Sequence, residues 1–195
     1  MTIEHWLLPE GVEDILPETA SKIEQGRRIL LDLFKSWGYE YIIPPKLEYL
    51  ESLLTGTGRD LDLKTFKVID QLSGRMMGLP ADLTPQAARI DAHSLPRDAA
   101  TRLCYADFVL QSRPAHMLAS RSPLKVGAEL FGEPSLAGDV EIISLMIESL
   151  SQLGMKSVQL ELGDVRFFRA LMAETALPES VQAQFFALVQ KKAHD

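Results

Sequence analysis

Two apolar helical stripes bracket a run of short strands in this chain, and that grouping constrains its fold more than any other feature. In "ETASKIEQGRRILLDLFKSWG" the residues Ile23, Leu30, Leu33, Phe34 and Trp37 recur at helical spacing, and Gly38 supplies the usual C-terminal stop. The second stripe runs from Asp139 to Leu153 through Ile142, Ile143, Met146 and Leu150 and ends at Gly154. Between them the pattern predicts a strand from Tyr39 to Ile43, closed by Pro44 and Pro45. It also predicts a hairpin in "TFKVIDQLSGRMMGL" turning near Ser73 and Gly74, a strand in "TRLCYADFVL", and a strand from Leu124 to Phe131. Thr84 before Pro85 makes an N-cap and first-turn pair, which predicts a helix from there to about His93. After the second stripe, "VQLELGD" alternates Val158, Leu160 and Leu162 with polar neighbours and predicts a half-buried strand; the tail from Asp164 predicts two helices. Strands in groups, with long helices on either side, give an α+β fold: an antiparallel sheet flanked by helices rather than an alternating wound sheet.

Composition narrows the function classes. At 195 residues, 46% hydrophobic and 24% charged, the chain is long enough to bury one good core and is expected to form a single domain over 1–195 with at most a small appendage. Its net charge of −7 offers no clustered cationic footprint for phosphates, so nucleic acid is not expected as a partner. A lone cysteine, Cys104, fits a small core residue in a reducing, cytoplasmic compartment and leaves no thiol cluster for zinc. His5, His93, His116 and His194 lack metal-ligand spacing, so no metal and no catalytic histidine is expected. No segment approaches the length of an apolar membrane span, and the N-terminus lacks the pattern of a signal peptide. "TGTGRD" has neither a full dinucleotide fingerprint nor a Walker lysine, and no cofactor is expected.

One strand carries charges that a plain strand would not need. If "LKVGAELF" is extended, Leu124, Val126, Ala128 and Leu130 face the core while Lys125, Gly127, Glu129 and Phe131 face the other way. Lys125 and Glu129 then stand about 13 Å apart on one face, too far for a direct ion pair, with Gly127 between them leaving room for a small zwitterion. The alternative is a solvated face on which the charges only keep the protein soluble.

The order of motifs resembles the catalytic domain of class II aminoacyl-tRNA synthetases, most closely the histidyl-tRNA synthetase family. "GVEDILP" resembles that family's N-terminal signature, and "GYEYIIPPKLEYLE" its motif 1, with Pro45 at the characteristic proline. "ADLTPQAAR" resembles the loop that holds the amino acid's ammonium group, and "FVLQSRPAHMLASRSPLKVGAELFG" resembles motif 2. The resemblance covers most of residues 9 to 165. It implies that Asp82 and Thr84 match the ammonium-binding carboxylate and hydroxyl, and that Glu129 matches the acid lining the histidine pocket.

The departures from the pattern are chemical. Where an active synthetase uses a motif 2 arginine on the α-phosphate of ATP, this chain has Gln111, and a neutral amide cannot offset charge developing on phosphate. Arg121 is followed by Ser122 where the pattern has a carboxylate or amide, Lys125 replaces a glutamine, and Pro80 replaces an arginine. An amino-acid site half kept beside an ATP site lost resembles the regulatory subunits of ATP phosphoribosyltransferase, synthetase paralogues without aminoacylation activity. That resemblance implies a non-catalytic protein and a catalytic ATP phosphoribosyltransferase partner. It further implies histidine as effector and a homodimer core within a hetero-oligomer. The ligand site it implies comprises Asp82, Thr84, Arg121, Lys125 and Glu129, with Lys125 either reaching the ligand carboxylate or repelling its ammonium. The competing function is a histidyl-tRNA synthetase-like enzyme with residual adenylation.

Each site residue also has a plain reading: Asp82 and Thr84 as helix caps, Glu129 in a structural salt bridge, and Arg121 solvated on a polar loop. Subunits of this type are expected to be longer. The chain is therefore expected to be truncated at its C-terminal end, with residues from about 164 to 195 starting a helical insertion.

Overall fold

The computed structural model describes residues 6–56, 58–95, 99–175 and 177–190, so His5, His194 and the last residues of the expected tail helix lie outside the described residues. The chain divides into two compact units, Met1–Lys156 and Ser157–Asp195.

Unit one begins with helix α1, Pro17–Ser36, which has proline in its first turn where the missing N–H costs nothing. Its stripe buries Leu30 and Phe34. Past its end, Gly38 takes φ +86°, and the Tyr39 N–H bonds the Phe34 carbonyl at 3.0 Å. Strand β1, Glu40–Tyr41, is shorter than expected because only two residues find ladder partners before the two prolines. Then follow β2 (Glu48–Tyr49), α2 (Leu50–Leu53), α3 (Arg59–Lys64), β3 (Phe66–Ile69), β4 (Met76–Leu79) and α4 (Thr84–Arg89), the last running into a π-helical turn over Ile90–Ser94. Strands β5 (Thr101–Phe108) and β6 (Leu124–Phe131) precede helix α5 (Leu136–Gln152). Helix α5 starts a turn earlier than its apolar stripe because the Ser135 hydroxyl caps it, accepting from the Ala137 N–H at 3.3 Å.

Two three-stranded sheets result, in the orders β1-β5-β6 and β2-β4-β3. The expected hairpin forms with Phe66 opposite Leu79 and Ile69 opposite Met76. Its turn is held by Asp70, whose carboxylate accepts from the N–H groups of Leu72 and Ser73. In the first sheet β5 and β6 pair antiparallel along eight residues, while β1 joins β5 in parallel, so one pair departs from the antiparallel expectation. The parallel pair is reached by the long crossover through the second sheet.

The strand alternation predicted for β6 holds. Val126 and Ala128 pack on one side against a core of Leu30, Phe34, Tyr39, Cys104 and Leu145, between the sheet and helices α1 and α5. Phe131 packs on the other side with Leu83, Ala87, Tyr105 and Val109, beneath α4. Burying each such large side chain contributes on the order of 1.5 to 3 kcal/mol. The second, smaller core fixes α4, and with it Asp82 and Thr84, above the charged face of β6.

Unit two comprises α6 (Val165–Ala173), capped by Asp164, and α7 (Glu179–Gln190). The rings of Phe168 and Phe186 join the two helices at 5.2 Å between centroids. The strand expected through Val158, Leu160 and Leu162 does not form: the stretch pairs with no described strand, and all three side chains are exposed. Alternation marks a face only where a neighbouring strand supplies ladder partners. No helix among the described residues is long and apolar enough to cross a membrane.

Candidate functional site

Thr84, Tyr105 and Glu129 form a closed triangle. The Thr84 hydroxyl donates to Glu129 Oε1 at 2.7 Å, the Tyr105 hydroxyl reaches the same oxygen at 3.0 Å, and the two hydroxyls stand 3.1 Å apart. The expected capping role of Thr84 does not hold: the residue before α4 is Leu83, and no side chain caps the helix. Thr84 is the first helical residue, and its hydroxyl turns to the sheet. Asp82 accepts from the Leu83 N–H at 2.7 Å through Oδ1. Among the described residues the partners of Glu129 are hydroxyls rather than a cation, unlike the structural salt bridge of its plain reading.

Tyr105 was not legible as a site residue, and it alters the picture of the β6 face. It stands directly opposite Gly127, and a Cβ on Gly127 would lie 2.6 Å from the phenol Cζ and hydroxyl. The space expected above Gly127 is therefore filled by this ring, and the room for a ligand lies elsewhere. Burial, with the carboxylate beside it, pushes the Tyr105 phenol well above the usual tyrosine range, which keeps it protonated and a donor.

The room lies beside α4. A cavity of about 760 Å³ is lined by Asp82 and Thr84 together with Thr55, Gly58, Arg89 and His93. Lys125 faces the same side of the sheet, opposite Asp107, yet it forms no ion pair with a described residue, because Asp107 is held by Lys46 at 2.5 Å. The guanidinium of Arg121 donates to the carbonyls of Gln111 at 3.0 Å and Glu10 at 3.1 Å and lies 5.0 Å from the Phe66 ring. Asp82, Thr84 and Glu129 are thus brought together around α4, Lys125 lies on their face of the sheet, and Arg121 is placed with the N-terminal segment. Gln111, only 8% exposed, donates to the Ala81 carbonyl at 3.2 Å, so the neutral amide supports the loop that carries Asp82.

A second buried group holds α4 from behind. Glu48, 8% exposed, receives Arg89 through both oxygens, Nη2 at 2.7 Å and Nε at 3.0 Å, and also the Gln86 amide at 2.6 Å. The Gln86 amide also donates to the Pro45 carbonyl at 2.7 Å, tying α4 to the segment between β1 and β2. Among the described residues no group of three His, Cys, Asp or Glu is placed to hold a metal ion.

This arrangement of a short helix over an antiparallel pair, with a carboxylate and a hydroxyl at the helix start, can be set beside known proteins. The sequence model of the histidyl-tRNA synthetase family matches residues 11–195. The chain belongs to that family. Among its relatives, the ATP phosphoribosyltransferase regulatory subunit of Pseudomonas aeruginosa (strain LESB58) is 53% identical over 194 residues, covering 100% of this chain and 49% of that protein. The regulatory subunit of the same name from Thioalkalivibrio sulfidiphilus is 56% identical over 188 residues, 96% of this chain and 48% of that protein. A crystal structure of an ATP phosphoribosyltransferase regulatory subunit/histidyl-tRNA synthetase from Bacillus halodurans superposes with a TM-score of 0.89 at 27% identity, over 100% of this chain and 50% of that one. The chain spans about half the length of the curated relatives it matches. The class II synthetase-like α+β fold of this histidyl-tRNA synthetase family member is the one expected from its motif order.

Proposed function

We propose that this chain is the synthetase-like part of a regulatory subunit of ATP phosphoribosyltransferase: not itself a catalyst, but an activator of the catalytic chain and the receptor for feedback by histidine. The observation that carries the reading is its identity of 53% along its whole length to a protein of that name. Gln111 supports it physically, since a buried neutral amide committed to the Ala81 carbonyl supplies no charge for a phosphate.

In this reading the ammonium of histidine is received by the Asp82 carboxylate and the Thr84 hydroxyl at the edge of the cavity. Glu129 does not line the cavity and acts from behind it, accepting the Thr84 hydroxyl hydrogen, and Lys125 stands on the same face of the sheet outside the cavity lining. Arg121 supports the site by holding the Gln111 carbonyl. An effector can act at a distance only through its different affinities for two states, and coupling of about 1 to 3 kcal/mol gives a change of roughly 5- to 150-fold. A homodimer within a cytoplasmic hetero-oligomer is part of the same proposal.

The test is to combine the protein with a short catalytic ATP phosphoribosyltransferase and to measure phosphoribosyl transfer with and without histidine. The reading expects co-elution, a rise in rate and its reversal by histidine. No rise and no co-elution would end it. Exchange of pyrophosphate into ATP that depends on histidine would favour the synthetase-like alternative.

A further inference from the structure

We infer that Tyr105 is a positioning residue for the effector site: through Glu129 it fixes the Thr84 hydroxyl as a hydrogen-bond acceptor for a ligand ammonium. The inference rests on the histidine-binding reading above and deepens it.

The argument is a count of protons. The triangle of Thr84, Tyr105 and Glu129 has three short edges but only two hydroxyl hydrogens, because an ionised carboxylate accepts and does not donate. The shortest edge, Thr84 to Glu129 at 2.7 Å, takes the Thr84 hydrogen. The lone pairs of Thr84 Oγ1 are then left to accept, and the cavity beside them is the one Asp82 also lines. A carboxylate and an oriented hydroxyl oxygen, both acceptors, suit a primary ammonium with its three donors. Tyr105 keeps Glu129 where this polarity needs it. Only 5% exposed, the phenol makes no contact with the cavity and works at one remove. Gly127 is the other half of the device, since any larger residue there would displace the ring from the oxygen it serves.

The experiment is calorimetric titration of the purified protein, alone and with the catalytic chain, using two probes: histidine, and imidazolepropionate, which lacks the ammonium. Tyr105→Phe keeps the ring over Gly127 and removes only the hydroxyl. It is expected to weaken histidine roughly tenfold, the scale for a hydrogen bond to a charged group, while imidazolepropionate changes by less than about twofold. Gly127→Ala is expected to weaken histidine similarly, and the double variant to be no weaker than Tyr105→Phe, because the two changes break the same link. A thermal melt on each variant checks the fold, and the two-probe comparison on Tyr105→Phe stands even if Gly127→Ala does not fold. Equal histidine affinity in wild type and Tyr105→Phe overturns the inference and leaves the effector reading intact. An equal loss for both probes also overturns it, since a merely structural role predicts that pattern. If the wild-type protein binds no histidine in either setting, the effector reading fails and the inference with it.

Discussion

Arg102 on β5 and Glu141 on α5 meet fork to fork, Nε to Oε1 and Nη2 to Oε2, both at 2.7 Å. The Tyr39 hydroxyl donates to the same carboxylate at 2.9 Å, so one side chain joins the end of α1, a central strand and the covering helix. These bonds hold the Glu141 carboxyl below the usual carboxylate range, the Arg102 guanidinium first among the causes. A lowered native pKa means that the stabilisation is complete above the ordinary glutamate value near 4.3 and is lost as the pH falls through the lowered one. Glu141→Gln is therefore expected to lower stability by about 1 to 2 kcal/mol at pH 7, allowing for partial exposure, and to flatten the acid limb of the stability curve. Urea melts from pH 7 down to pH 3 check both.

Arg89→Met should be costly in another way. It would leave the Glu48 carboxylate buried with only the Gln86 amide, and breaking one side of a buried pair costs roughly 3 to 5 kcal/mol. Because Arg89 is 30% exposed, the lower end of that range is expected, read as a shift in the urea midpoint. A change below 1 kcal/mol would show that the Gln86 bonds and the apolar face hold α4 without Arg89.

Restoring the synthetase-like arginine should not restore synthetase chemistry. Gln111→Arg places a longer cation where the side chain is buried against the Ala81 carbonyl, and overpacking of this kind costs about 1 to 3 kcal/mol. The expected outcome is a lower melting temperature and pyrophosphate exchange still at background. Exchange well above background would mean that one residue separates the two activities.

The Cys104 thiol should be inert in the folded protein. Burial pushes its pKa up to about 11, so at pH 8 it is almost wholly the un-ionised thiol. A thiol-reactive disulfide reagent at pH 8 is expected to react no faster than the protein unfolds, and to reach one equivalent promptly only in denaturant.

The order of elements was readable because long stripes and hard stops dominate it: α1 with Gly38, α5 with Gly154, and the Asp70 to Gly74 turn each follow from local chemistry. The same local logic failed for Val158, Leu160 and Leu162, whose alternation had no strand to pair with. At the site, Asp82, Thr84 and Glu129 came from motif resemblance, and the fold brings them around α4. Tyr105 was missed because, within its own strand, it looks like one more apolar residue. Its role follows only from the register that puts it opposite Gly127, a pairing 22 residues apart that no local pattern encodes. Glu48 with Arg89 was missed for the same reason, since their contact spans 41 positions.

The side-by-side alignment of Glu40 with Leu103 makes the middle third of the chain a closed loop of roughly 60 residues, whose closure entropy must be met before that contact can form. Everything between, including the hairpin and α4, is cinched at its base by two residues of β1. Slack at that knot would loosen Asp82 and Thr84 at once, so substitutions far from any ligand, at the waist of this loop, should be felt as changes in how the whole segment breathes.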